Sequence, residues 1–206
     1  AQCLVGSEMC IRDRYYTNRT GANTPRPINN NINMLNELAY LTGMHGMFYV
    51  TLEKCYGGKF GNAILSKHSF DETRRIMLPC AAGTEQRNAA IADIKLPDGT
   101  EFSIVDTHID MSKLDNGMSQ IKEVNRIPQL GKHYIVAGDM NRRVGTAEIN
   151  ELSSVWTLAL SREFDHIGYY PANGWVVKET KVFSDNQLSD HYPITVSYTH
   201  LRAHET

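Results

Sequence analysis

The sequence predicts a layered α/β (α+β) sandwich, many strands with a few intervening helices, folded as one domain. Three observations lead there. Short runs rich in β-branched and aromatic residues, bounded by Gly, Pro and Asp, recur along the chain. Only a few stretches place apolar residues at helical spacing. The 206 residues are 41% hydrophobic and 21% charged, which suits a soluble domain with a sizeable core and excludes a disordered or collagen-like polymer.

Both ends are set aside before the elements are read. Residues 3–14 look like one reading frame of a transposase-type sequencing adapter, of the kind that contaminates metagenomic assemblies, and residues 196–206 look like a frame of the same adapter from the opposite strand. Library scars are excluded from fold reasoning. That leaves a partial domain at 15–195 between two adapter artefacts at 1–14 and 196–206.

Residues 18–31 are rich in Asn, Thr, Pro and Gly and read as a loop, after which Ile32, Leu35, Leu38 and Ala39 recur at helical spacing until Gly43. Strands are predicted at Met47–Thr51, Phe60–Leu65, Arg75–Leu78, Ala89–Ile94 and Phe102–Thr107. Pro97-Asp98-Gly99-Thr100 joins the last two as a hairpin, because Asp-Gly supplies the positive-φ positions of a tight turn. Met118, Ile121, Val124 and Ile127 mark a second helix stopped by Pro128, and Tyr134–Ala137 is an apolar strand breaking into Gly138-Asp139. Ile149 and Leu152 suggest a brief third helix. Further strands are predicted near Phe164–Tyr169, Trp175–Phe183 and His191–Thr195.

Lys and Arg number 21 against 23 Asp and Glu, a net charge of -2, so no global basic footprint points to nucleic acid or acidic lipid. No run reaches the ~18 apolar residues of a membrane span, and no signal-peptide pattern opens the chain. Localisation stays open between cytoplasmic and exported. Setting aside Cys3 and Cys10 leaves Cys55 and Cys80, without the spacing of a zinc site. A disulfide in an exported protein and two thiols in a reduced compartment are both open.

Chemistry collects at strand ends. Asp106-Thr107-His108, Gly138-Asp139-Met140-Asn141 and Phe164-Asp165-His166 each lie at the end of an apolar strand, and Ser189-Asp190-His191-Tyr192-Pro193 begins one. Strand ends are rigid mounts from which side chains can converge within catalytic tolerance. Carboxylates suit Mg²⁺, His moves protons near neutral pH, and Asn can orient a nucleophile or a phosphate oxygen. These parts fit phosphate ester cleavage.

The ordered set formed by these segments and Phe60-Gly61-Asn62-Ala63-Ile64-Leu65-Ser66-Lys67 resembles the endonuclease/exonuclease/phosphatase superfamily across nearly all of 15–195. The resemblance implies a four-layer sandwich of two packed β-sheets flanked by helices, with the site at one end of the sheets. It implies that His108 assists departure of the leaving oxygen, that Asp139 and Asn141 position or deprotonate the attacking water, and that Asp165 orients His191 at the phosphate. It further implies Asp190 as a metal ligand, Asn62 as a substrate contact, and Mg²⁺, with Mn²⁺ as the alternative, as cofactor. The family's first-strand Asn and its Gln-Glu metal ligand have no counterpart here, and Glu8 belongs to the adapter. The chain as written is therefore expected to be amino-terminally truncated, inactive and poorly folded.

Ordinary readings are kept for His45, His68, His133 and His166, as exposed or hydrogen-bonded side chains. Glu85 and Arg87 read as a salt-bridged pair rather than as lining beside His108. Arg142-Arg143 grip phosphates or are solvated. The reading is a Mg²⁺-dependent phosphodiesterase or phosphatase, expected to be a monomer, with a small phosphate ester preferred over duplex DNA. The alternatives are a non-catalytic binding protein of the same fold and a phospholipid or sphingomyelin hydrolase. The second is disfavoured because no apolar membrane-docking loop is read in the sequence.

Overall fold

The computed structural model describes residues 3–4, 34–55, 58–184 and 191–200. The predicted loop at 18–31 and Asp190 lie outside the described residues.

The core is the six-stranded sheet β4-β5-β6-β7-β9-β8, made of β4 (Phe70–Met77), β5 (Asn88–Lys95), β6 (Glu101–His108), β7 (Tyr134–Asp139), β8 (Thr157–Arg162) and β9 (Asp165–Tyr170). β6 and β7 are parallel, joined by the helix α2 (Leu114–Val124), and the other neighbours are antiparallel. β5 and β7 are buried almost throughout, as expected of strands covered on both faces.

Strand alternation sends the two faces to different partners. Ile91, Val105 and Val136 pack with Ile121 and Val124 of α2 and with Ile149 and Leu152 of α3 (Ala147–Ser153). The opposite face, through Ala90, Ile104, Ile135 and Ile167, meets two hairpins. One is β2 (His45–Cys55) with β3 (Gly58–Ser66), on whose edge β1 (Cys3–Leu4) pairs, and the other is β10 (Trp175–Val182) with β11 (Ile194–His200). The amphipathic helix α1 (Met34–Thr42) covers the first hairpin with Leu35 and Leu38 against Ala63 and Leu65. The layers therefore run helix, hairpins, sheet, helices, the predicted sandwich.

Local chemistry explains the boundaries. Thr146 caps α3 by accepting from the Ile149 N–H at 3.4 Å. The Leu96–Thr100 turn closes with Gly99 at φ +86°, as Asp-Gly predicts. The second helix starts earlier than predicted, at Leu114, and ends at Val124, with Ile127 in the turn that follows.

Three strands depart from the sequence reading, the first being β1, which pairs with β3 although it lies in the segment set aside as adapter. β8 is absent from that reading because this edge strand is half-buried along its length and bulges between Leu158 and Leu160, which breaks the alternation. The last strand is Ile194–His200, not His191–Thr195, and so runs into the segment set aside as adapter. Ile194, Val196 and Tyr198 all pack on the hairpin core, and alternating apolar residues suffice for a strand whatever their source. Cys80 is an exposed free thiol, and the Cys55 side chain lies outside the described residues. Among the described residues, no helix is long and apolar enough to cross a membrane.

Candidate active site

The site follows from sheet register. β6, β7 and β9 lie side by side with His108 opposite Asp139 and Asp139 opposite Asp165. Each shares a strand face with Ile104, Ala137 or Ile167, so all three line the end of the space between sheet and hairpins. His191, just before β11, joins them. Its Nδ1 lies 2.9 Å from Asp165 Oδ2 and its Nε2 lies 3.9 Å from Asp139 Oδ2, while His108 Nε2 approaches the same Asp139 oxygen at 3.5 Å. One buried carboxylate thus stands between two imidazoles, a dense arrangement of groups that exchange protons.

The turn after β7 is held from several sides. A Cβ on Gly138 would stand 1.8 Å from the Thr107 carbonyl oxygen, so only glycine lets β6 and β7 close at this point. Asn141 takes the left-handed region at φ +50°, which Asn tolerates, and its backbone N–H donates to Asp139 Oδ1 at 2.8 Å. Its Nδ2 donates to the Ile109 carbonyl at 2.8 Å, so the Oδ1 end of the amide is what it can offer a substrate. The Met140 N–H reaches the Phe164 carbonyl at 2.8 Å and ties the turn to β9.

Arg142 corrects the sequence reading: it neither grips phosphate nor is solvated. It is buried, donating from Nε to Glu148 Oε1 at 2.9 Å and from Nη1 to the Asn141 carbonyl at 2.8 Å. Arg143 is the exposed one, 3.5 Å from Glu163. His166 is fully buried and bonds the Arg142 carbonyl and Ser161 Oγ, each at 2.8 Å. Since a carbonyl only accepts, Nε2 carries the proton and Nδ1 accepts from Ser161; burial holds the ring's pKa below its usual range. Replacing Glu148 with alanine leaves a buried guanidinium without its carboxylate. The expected cost is about 3–5 kcal/mol, read from the denaturant midpoint.

Asn62 and Asp106 meet across the sandwich, with Asn62 Nδ2 donating to Asp106 Oδ2 at 3.4 Å. Asp106 shares its strand face with His108, a period-two signal present in Asp106-Thr107-His108 but given no role in the sequence reading. Burial pushes its carboxyl up to about 7, against the lowering effect of bonds from Asn62 and the Ala63 and Thr107 backbone. The folded protein therefore binds a proton more tightly than the unfolded chain. Asp106 should make stability fall as pH rises from about 4 to about 7. Asp106→Asn is expected to flatten that limb, as thermal melts across this range would show; an unchanged slope would assign it to other groups.

Glu85 and Arg87 do form an ion pair, at 3.1 Å. Yet the Arg87 guanidinium lies over the Phe60 ring at 5.1 Å, and that ring meets the His108 imidazole at 5.8 Å, which brings the pair beside the site as well. A small cleft of about 70 Å³ opens at Phe164, Asp165, His191 and Tyr192. The larger hollow, about 730 Å³, lies near the opposite end of β6, where Asp93 and Glu101 are already paired with Arg74 and Lys95. It holds no grouping of proton-transfer residues like the one at His108.

Asp139, Asp165 and His191 bring one ligand atom each within 4.8 Å of one another, the described group that could hold a cation. No protein-family model and no curated protein matches the sequence. Solved structures do match. A mannosyl-6-phosphatase from Bacteroides thetaiotaomicron superposes with TM-score 0.68 at 16% identity, over 80% of this chain and 80% of that one. An endonuclease/exonuclease/phosphatase from Bacteroides vulgatus gives 0.66 at 16%, over 81% and 80%. The fold is that of the endonuclease/exonuclease/phosphatase proteins. The human Nocturnin catalytic domain gives 0.70 at 17% identity, over 82% of this chain and 77% of its own. Within this endonuclease/exonuclease/phosphatase fold, His108, Asp139, Asn141, Asp165 and His191 converge on one strand-end site.

Proposed function

We propose that the chain is a phosphate ester hydrolase assisted by Mg²⁺ or Mn²⁺. The observation that carries this is the continuous row Asp165, His191, Asp139, His108, in which sheet register aligns two carboxylates and one imidazole and the segment before β11 adds the second imidazole. The likeness to a protein named as a mannosyl-6-phosphatase, and to Nocturnin with its bound sulfate, supports an oxyanion ligand.

The donor set fits a hard cation. Asp165 Oδ1 is buried without a hydrogen-bond partner, and an anionic oxygen in that state gains from a cation. Asp139 and Asp165 would hold the ion together with Asp190. When bound, it would neutralise charge on the phosphate oxygens.

The protein's own groups supply the rest. Asp165 accepts from His191 Nδ1, which sets the tautomer and turns Nε2 toward the reacting phosphate. Asp139 accepts the proton of the attacking water, which Asn141 orients. Water oxygen bonds to phosphorus, the ester P–O bond breaks, and His108 delivers a proton to the leaving oxygen. The near-neutral charge favours a small soluble ester over duplex DNA.

A second reading, hydrolysis of a phospholipid or sphingomyelin, is favoured by one finding. The segments after β6 and β7 expose Met111, Leu114 and Val144 at 69%, 69% and 67%.

The test is Mn²⁺ binding by paramagnetic resonance together with hydrolysis of p-nitrophenyl phosphate, its bis-ester and sphingomyelin vesicles, with and without chelator. Chelator-sensitive turnover of a soluble ester supports the first reading, and turnover of vesicles alone the second. Cation binding without turnover of any of them makes the chain a non-catalytic binding protein or an inactive form of this fold, as the missing Glu ligand implies. No binding and no turnover overturns both hydrolase readings.

A further inference from the structure

Arg87 is 5% exposed, and its pairing is incomplete. Nη2 donates to Glu85 Oε2 at 3.1 Å, while Nε and Nη1 are buried and without any hydrogen-bond partner. Buried guanidinium donors are satisfied in most proteins, so an exception calls for a role. The partner it has is a loose one. The Glu85 side chain is 58% exposed and binds only one edge of the guanidinium, so ordering it gains little. The guanidinium plane is held by the Phe60 ring at 5.1 Å, and the other neighbour of that ring is the His108 imidazole at 5.8 Å. A rigid cation with unused donors, its charge partly offset by the buried Asp110 carboxylate, therefore stands one aromatic ring away from the histidine on the leaving-group side of the site.

We propose that Arg87 is the anchor of a second anion subsite, in which Glu85 stands in for a phosphate or sulfate group of the incoming molecule. The oxyanion displaces the Glu85 carboxylate into solvent and engages two guanidinium N–H groups at once, the fork geometry that a single carboxylate oxygen does not use. Glu85 is then a latch that keeps the subsite closed until an anion with better geometry arrives. The substrate class follows: an ester carrying a second anionic group beside the one cleaved. That last step rests on the hydrolase reading, whereas anion capture by Arg87 does not.

The experiment is titration of the full chain with inorganic phosphate and with sulfate by calorimetry, in chelator so that no cation contributes. Arginine Nε–H resonances are followed in parallel. Glu85→Gln removes the competitor and is expected to tighten phosphate about threefold to tenfold, while Arg87→Lys, which keeps charge but loses the fork, weakens it about tenfold or more. The Arg87 Nε–H signal shifts on binding in the parent chain. Unchanged affinity in both variants, or binding without a shift at Arg87, would overturn the proposal. Since Arg87→Lys can disturb packing on Phe60, Glu85→Gln at an exposed side chain decides on its own: no tightening there rejects the latch. Arg87-dependent binding with no ester hydrolysis leaves the subsite standing and removes only the hydrolase reading.

Discussion

Asp139→Asn lowers kcat/KM by about a thousandfold or more, the scale of losing both a proton acceptor and a charge aimed at the transition state. The carboxylate Oδ2 faces His108 at 3.5 Å and His191 at 3.9 Å, so one charge serves both rings. The amide keeps an oxygen for the Asn141 N–H, now 2.8 Å from Oδ1, so the turn after β7 survives. Removing the charge should also weaken Mn²⁺ binding, a readout that stands even where turnover is low. The check is kcat/KM and cation affinity against the parent chain, with a thermal melt as control. Activity within tenfold at an unchanged melting temperature would take Asp139 out of the chemistry.

Gly138→Ala is expected to destabilise the fold by about 4 kcal/mol or more, enough to unfold a marginal domain. The added Cβ would sit 1.8 Å from the Thr107 oxygen and 2.9 Å from its carbonyl carbon, and both belong to the backbone of the neighbouring central strand. Relief requires moving β6 away from β7, which breaks the His108 and Asp139 register along with the ladder. Gly99→Ala is the control. Gly99 has φ +86° but nothing within 4 Å, so only the conformational penalty of about 1 kcal/mol applies. Urea midpoints for the two variants should separate widely; equal shifts would mean that the strands part easily here.

The sandwich was legible because its signals are local. Alternation in Phe102–Thr107 and Tyr134–Ala137, helical spacing around Ile121 and Ile149, and Asp-Gly at the hairpin each act over a few residues. The residue types at the strand ends were legible for the same reason, since an apolar run that stops at Asp or His marks its own end. Arg142 was misread because Arg142-Arg143 reads as two equal cations. Burial against Glu148 on α3 makes one an internal strut and leaves the other in solvent. β8 was missed because an edge strand half-buried on both faces, with one bulge between Leu158 and Leu160, shows no clear alternation.

The sequence by itself determined most of the elements and which side chains stand at their ends, because propensity, periodicity and turn chemistry are properties of neighbours along the chain. Only the tertiary structure decided which ends meet. Asn62 and Asp106 lie 44 positions apart, and Asp165 and His191 lie 26 apart. Their pairing is set by strand order, register and the packing of hairpins on the sheet, which depend on contacts distant in sequence. The same packing withdraws Asp106 and Arg87 from water, which raises the pKa of the first and leaves donors of the second without hydrogen-bond partners, a burial that no run of neighbouring residues encodes.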